Sequence, residues 1–200
     1  MIRLNQQNIN TPEYWDNVYA EEIKAGRLRV EKERFQRTAN IITDGADVID
    51  IGCGKGEFLQ YLHDRKPACR IMGIDFSTES INFAKKYVPC GNFYVVDALN
   101  VSYYVSFMKK FDFAVSFETI EHIENPKMFV DEASFTLKKG GWFILSTPFE
   151  NRVDGGAEHV YSFNYQDIVS FFSRDKWELV TLTRYGRDYS NMYILAQTIQ

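Results

Sequence analysis

The run Val48-Ile49-Asp50-Ile51-Gly52-Cys53-Gly54-Lys55-Gly56 constrains this chain most, because a buried-strand pattern passes straight into alternating glycines and then into a helical pattern. Glycines at such a turn let the backbone approach a ligand closely and adopt angles that other residues resist. The unit also needs neighbours, since a strand this apolar must be covered on both faces.

The rest of the chain supplies them. Short apolar runs at 48–51, 70–74, 93–96, 111–117 and 142–146 alternate with helical patterns at 58–63, 81–87 and 127–137. This βαβ repetition predicts a parallel sheet with helices on both faces. Upstream, Asn10-Thr11-Pro12-Glu13 reads as a helix start, with Thr11 or Asn10 as cap and Pro12 in the first turn. That helix runs towards Gly26, and a second amphipathic stretch covers 30–42 before the Asp44-Gly45 turn. Downstream, a loop with Asp154-Gly155-Gly156 leads to a helix near 165–172 and closing strands at 177–184 and 192–196. Their link, Tyr185-Gly186-Arg187-Asp188, is short enough to join antiparallel neighbours.

The expected fold is α/β, doubly wound and Rossmann-like, with a mostly parallel seven-stranded sheet and a C-terminal antiparallel strand. One domain is expected, divided into an N-terminal helical cap (1–45), a cofactor-binding core (46–148) and a substrate loop with closing strands (149–200).

Composition narrows the partners. A net charge of −4 without a long Lys/Arg run makes nucleic acid an unsuitable partner. The start lacks a signal-peptide pattern and no uninterrupted apolar run reaches membrane-spanning length, so a cytoplasmic protein without a membrane span is expected. Cys53, Cys69 and Cys90 show no CxxC spacing and read as small buried apolar residues. His63 reads as structural or solvent-facing, and Lys138-Lys139 as a solvated helix end. A monomer and a homodimer are both compatible with the pattern.

The chemistry starts at Asp75, which ends the apolar run after the glycine turn, where a carboxylate can hold ribose hydroxyls. Two nucleoside cofactors compete for such a site. A dinucleotide fingerprint wants Gly or Ala where this chain has Glu57, and the glycines fall as GxGxG instead. Asp50, two residues before the first glycine, would also stand close to a pyrophosphate, whereas a zwitterionic amino acid on a sulfonium tolerates it. The pattern favours S-adenosylmethionine.

On these residues the chain resembles the class I S-adenosylmethionine-dependent methyltransferases, especially the small-molecule branch that includes the ubiquinone-biosynthesis O-methyltransferases. VIDIGCGKGEFLQYL resembles that family's cofactor loop and IMGIDFSTESINFAKK its ribose-binding segment, and the likeness runs from about Tyr14 to the end. The resemblance implies that Asp50, Gly52 and Gly54 surround the methionyl part and that Asp75 takes both ribose hydroxyls. It likewise implies that Phe76 packs on the adenine, that Asp97 and Ala98 lie at its amino group, and that Phe117 closes the site beside the sulfonium. Tyr14, Trp15, Tyr19 and Arg34 would fold over the cofactor. Core packing is the plain alternative for Phe76 and Phe117, and a helix cap for Asp75, a duty Ser77 can equally perform.

For the acceptor, an Asn/Asp-Pro-Pro-Tyr-like motif is lacking, since its place reads Ser116-Phe117-Glu118-Thr119, which disfavours N-methylation of a nucleobase or glutamine. Ser146-Thr147-Pro148-Phe149 reads as a strand-ending turn. On a helical turn, Glu118, Glu121 and His122 share one face and admit a divalent metal, with Glu158-His159 as a second contribution. This ExxEH pattern is similar to that of ubiquinone-pathway and small-RNA terminal 2′-O-methyltransferases, in which such residues take part in metal binding. In metal-free relatives Glu118 instead faces the cofactor and His122 lines the acceptor pocket. His122 and His159 are the candidate catalytic bases, with ligand and plain loop roles also open to His159. The leading expectation is O-methylation of a small-molecule acceptor; the rivals are a metal-dependent RNA 2′-O-methyltransferase and a non-catalytic adenosine-cofactor-binding partner protein.

Overall fold

The computed structural model describes residues 1–106, 110–149, 157–186 and 191–199. The chain runs through β1 (Ile2–Arg3), α1 (Pro12–Lys24), α2 (Lys32–Ile41), β2 (Asp47–Ile51), α3 (Glu57–Arg65), β3 (Arg70–Asp75), α4 (Thr78–Tyr87) and β4 (Asn92–Val95). It continues with α5 (Val101–Val105), β5 (Phe111–Phe117), α6 (Pro126–Thr136), β6 (Leu137–Pro148), β7 (Tyr161–Ser162), α7 (Tyr165–Phe171), β8 (Trp177–Tyr185) and β9 (Asn191–Thr198). Short 3₁₀ turns at Ala98–Asn100 and Ile120–His122 follow β4 and β5.

Seven strands form one sheet in the order β4-β3-β2-β5-β6-β9-β8. From β4 to β6 every pairing is parallel, while β9 runs antiparallel to both β6 and β8. The fold is therefore the doubly wound, mostly parallel arrangement expected, with β9 as the reversed strand. Winding changes direction between β2 and β5, which opens a crevice at the carboxyl ends of these strands.

Alternation along each strand explains why both faces are apolar. Val48, Phe113, Val115 and Ile144 point into one core with α2, α3 and α4, while Ile49, Ala114, Phe143 and Leu145 point into the other with α5, α6 and α7. Thr11 caps α1 by accepting from the amide of Tyr14, and Pro12 occupies the first turn, as the sequence predicts.

Several features differ from expectation. Cys90 is exposed, whereas Cys53 and Cys69 are buried. Lys138 belongs to a strand rather than a helix end, because α6 stops at Thr136 and the ammonium pairs with Asp112 at 2.6 Å and Asp47 at 3.1 Å. The β1–β7 ribbon was not anticipated, since strands of two residues carry no periodic pattern. The Asp154-Gly155-Gly156 loop and the Arg187-Asp188 part of the last link lie outside the described residues. Among the described residues, no helix is long and apolar enough to cross a membrane.

Candidate active site

A cleft of about 1050 Å³ opens at the switch point, and Asp50, Gly52, Gly54, Asp75, Phe76, Asp97, Ala98 and Phe117 all stand in its wall. Its floor is the glycine turn, where the amides of Gly52 and Cys53 both donate to the carbonyl of Ile74, at 2.8 and 2.9 Å. Gly52 has φ +79°, and a Cβ there would meet Thr119 Oγ1 at 2.5 Å. Gly52→Ala therefore combines left-handed strain with a steric clash, and a denaturant melt should show a loss of about 2 to 4 kcal/mol. Wild-type stability in that variant would mean that Thr119 retreats freely.

Asp75 ends β3 and is buried, with Oδ2 accepting from the amide of Gly54 and Oδ1 from that of Ser77, each at 2.9 Å. Burial raises its pKa to about 6, although both backbone bonds oppose the rise. The cap of α4 is Ser77, which accepts from Ser80 N, so Asp75 is not needed for that duty. Asp50, buried beneath the turn, has its pKa raised well above the usual range by burial, then by Asp75 and Glu57. Asp97 caps the following 3₁₀ turn by accepting from Leu99 N at 2.9 Å. Phe117 does double duty: it packs edge-on against Phe58 at 5.0 Å and also faces the cleft.

The N-terminal helices form the opposite wall. Trp15, Tyr19 and Arg34 line the cleft, and Tyr14 does not. Asp16 fastens α1 to the start of α4, accepting from Ser77 Oγ at 2.6 Å and Glu79 N at 3.1 Å. Arg34 is buried, pairs with Glu118 at 2.8 Å and donates to Tyr185 Oη at 3.0 Å and Ser146 Oγ at 3.2 Å. Its Nε, also buried, has no protein partner.

The acidic and imidazole groups after β5 separate into two sets. Glu118 has a left-handed backbone, φ +50°, and stands outside the 3₁₀ turn that carries Glu121 and His122, so the shared helical face does not form. It lines the cleft and engages Arg34 and Ser146. Ligand atoms of Glu121, His122 and His159 lie within 4.8 Å of one another. Glu121 is buried, and one of its carboxylate oxygens accepts from Thr147 Oγ1 at 3.0 Å while the other has no partner. Burial, then Glu118, raises its pKa well above the usual range.

His122 lines the cleft, with Nδ1 3.0 Å from the carbonyl of Glu158. A carbonyl only accepts, so Nδ1 carries the proton and Nε2 keeps a lone pair. Burial holds this imidazole neutral, with a pKa lowered to about 4. His159 stacks edge-on against His122 at 5.0 Å and is not in the cleft wall. Sequence reasoning missed Ser146 and Thr147, whose hydroxyls hold the two carboxylates. Their signal is the change from apolar to hydroxyl residues after Leu145, which resembles a turn in the sequence but lies within β6.

A buried carboxylate beneath a GxGxG turn and another ending the neighbouring strand suit a sulfonium nucleoside better than a dinucleotide, and on this fold they define a class I, S-adenosylmethionine-dependent methyltransferase. Comparison with known proteins agrees. The chain belongs to the methyltransferase domain family, whose model matches residues 19–186. It is 28% identical over 152 residues to the mitochondrial ubiquinone biosynthesis O-methyltransferase of Dictyostelium discoideum, covering 68% of this chain and 47% of that protein. Identity to the ubiquinone biosynthesis O-methyltransferase of Psychrobacter arcticus is also 28%, over 66% of this chain and 51% of that protein. The chain thus spans about half the length of the curated relatives it matches. In fold it is similar to an S-adenosylmethionine-dependent methyltransferase from Anabaena variabilis, with a TM-score of 0.76, 15% identity and 99% of both chains covered. The plantazolicin methyltransferase BpumL, solved with a pentazolic desmethylPZN analog and SAH, gives a TM-score of 0.74 at 15% identity, covering 94% of this chain and 95% of that one.

Proposed function

We propose that this protein transfers the methyl group of S-adenosylmethionine to a hydroxyl oxygen of a small-molecule acceptor. In this reading residues 1–45 cap the cofactor, 46–148 bind it and 149–200 shape the acceptor side. Asp50, Gly52 and Gly54 surround the methionyl part, with Arg34 facing its carboxylate. Asp75 holds the ribose hydroxyls, Phe76, Asp97 and Ala98 flank the adenine, and Phe117 closes the wall beside the sulfonium.

The observation that carries oxygen as the nucleophile is His122, a neutral imidazole in the cleft wall whose Nδ1 is tied to the Glu158 carbonyl, which leaves Nε2 to accept a proton. The acceptor oxygen attacks the methyl carbon in line with the carbon–sulfur bond. That bond breaks, its electron pair goes to sulfur to give S-adenosylhomocysteine, and the hydroxyl proton passes to His122. Holding the two reactants in line supplies most of the acceleration. His159, packed behind His122, orients the ring rather than touching the acceptor.

A second reading concerns metal. The unpartnered buried oxygen of Glu121, together with His122 and His159, forms a donor set that fits one divalent cation, and the Nδ1–carbonyl bond is the usual support for a ligating His. In that case Glu121, His122 and His159 would hold the cation while Glu118 remains paired with Arg34, and a bound cation would supply Lewis-acid polarisation of the acceptor oxygen.

One assay tests both readings. Labelled S-adenosylmethionine is supplied with catechols, phenols, carboxylates or an RNA with a free 3′-terminal ribose, with EDTA or with added Mg²⁺ or Zn²⁺. Label on a small hydroxylated acceptor supports the first reading, and label confined to RNA overturns it. Turnover abolished by EDTA and restored by metal assigns the cation, whereas turnover indifferent to EDTA leaves His122 as a metal-free base.

A further inference from the structure

A lysine inside a glycine-rich ligand loop would ordinarily be expected to reach the ligand, yet Lys55 points away from the cleft. Its side chain is 0% exposed. Nζ donates to Glu22 Oε2 at 2.8 Å and to the carbonyl of Arg27 at 2.5 Å, and stands 3.3 Å from Glu57 Oε1. That same Glu57 oxygen accepts from the amide of Arg29 at 3.0 Å, and the Arg29 guanidinium returns to Glu22 Oε1 through Nε at 2.8 Å. The result is a closed ring, Lys55–Glu22–Arg29–Glu57, in which three contacts join opposite charges and the fourth is the Arg29 backbone amide on Glu57. Two members come from the cofactor loop and the start of α3, and two from α1 and the segment that joins α1 to α2.

What the ring holds is the roof of the site. Leu28, Arg29 and Val30 line the cleft, and Leu28 and Val30 are exposed apolar residues there. On the inner face of α1, Tyr19 Oη lies 3.0 Å from the position a Cβ on Gly54 would take. A ligand resting on Gly52, Gly54 and Asp75 would share the cleft with Tyr19 and with Leu28, Arg29 and Val30 of the joining segment. Moving α1 and the 25–31 segment away parts a fully buried ammonium from the Glu22 carboxylate and the Arg27 carbonyl and strips Glu57 of the Arg29 amide, which is unfavourable because Glu57 is then left as the only partner of a charge held away from water. Solvent ions do not reach such a charge, so salt gives little relief.

We propose that Lys55 is a positioning residue that latches the α1–α2 roof onto the glycine loop and thereby sets the rate at which the S-adenosyl ligand leaves. The proposal rests on the cofactor reading of the cleft. Lys55→Met keeps the volume and removes the charge, and Glu22→Gln weakens the ring from the roof side at a more accessible position.

Surface plasmon resonance with S-adenosylhomocysteine, paired with hydrogen exchange on the ligand-free proteins, separates the outcomes. Both variants should release the ligand about tenfold faster with association changed by no more than about twofold. Amides of residues 25–31 should exchange faster in both, with the rest of the protein unchanged. Val130→Ala, a cavity in α6 outside the ring, should lower stability without moving the dissociation rate. If Lys55→Met does not fold, Glu22→Gln decides. Unchanged dissociation and unchanged exchange at 25–31 overturn the latch. A wild type that binds no S-adenosylhomocysteine overturns the cofactor reading instead, and the exchange rates then judge the latch alone.

Discussion

Asp75→Ala is expected to weaken S-adenosylhomocysteine binding about a hundredfold or more, because two hydrogen bonds to a charged acceptor are lost at once, each contributing about 1.5 to 3 kcal/mol. The carboxylate already accepts from Gly54 N and Ser77 N. Those two bonds fix its plane, and its remaining lone pairs are available to ribose. The same charge costs stability in the ligand-free protein. Its folded pKa, about 6, lies above the ordinary 3.8. The stabilisation that comes from protonation is therefore complete below about pH 4 and lost as pH rises through 6. Asp75→Asn removes the charge but sets an NH2 donor against the Gly54 or Ser77 N–H, so it should bind S-adenosylhomocysteine poorly and should not recover in the ligand-free protein the stability that protonation supplies. Ligand affinity of the wild type should fall in turn as pH drops below 6, since a carboxylic acid is a weaker acceptor than a carboxylate. Titration calorimetry at pH 5 and 7.5, with melts of the three proteins, checks all of this. Wild-type affinity in Asp75→Ala would remove Asp75 from the cofactor site.

The second large effect is expected at His122. With a hydroxyl acceptor that turns over, His122→Ala should lower kcat by about a hundredfold or more, the usual loss when a positioned base is removed. On the proposed reading, affinity for S-adenosylhomocysteine should change little, because a base acts on the acceptor hydroxyl and not on the cofactor. His159→Ala should cost less, since His159 is not in the cleft wall and packs against the ring of His122. Glu121→Gln separates the two readings of the site. A base mechanism tolerates an amide that still accepts from Thr147, whereas a cation site loses a charged ligand and with it most of its metal affinity. A His122→Ala enzyme with unchanged kcat would exclude His122 from both roles.

How much of the site was legible follows from the kind of signal each residue carried. Asp50, Gly52, Gly54, Asp75, Phe76, Asp97, Ala98 and Phe117 were expected around one ligand, and all eight line one cleft. They sit at the carboxyl ends of strands, where a linear pattern of apolar run, turn and helix tells which residue is last. Glu118, Glu121 and His122 were expected on one helical face because their spacing suits a helix. The chain instead takes a left-handed step at Glu118 before a 3₁₀ turn, and Glu118 leaves the group. Spacing converts into proximity only when the backbone class between the residues is known. Lys138 differs from expectation for the same reason: α6 ends at Thr136, β6 begins at once at Leu137, and the lysine finds Asp112 and Asp47 across the sheet.

By itself the sequence determined the βαβ order, the two-sided apolar strands, the glycine turn and the carboxylates that follow it. These depend on local propensity, and on burial patterns repeated every two or every 3.6 residues. Only the tertiary structure decided that Arg34 from α2 meets Glu118, Ser146 and Tyr185, that His159 joins Glu121 and His122, and that Lys55 turns from the cleft to bind Glu22, Glu57 and Arg27. Each of these contacts joins residues from different elements. Their partners are selected by the need to compensate buried charge and buried polar atoms, and that need exists only once packing has excluded water.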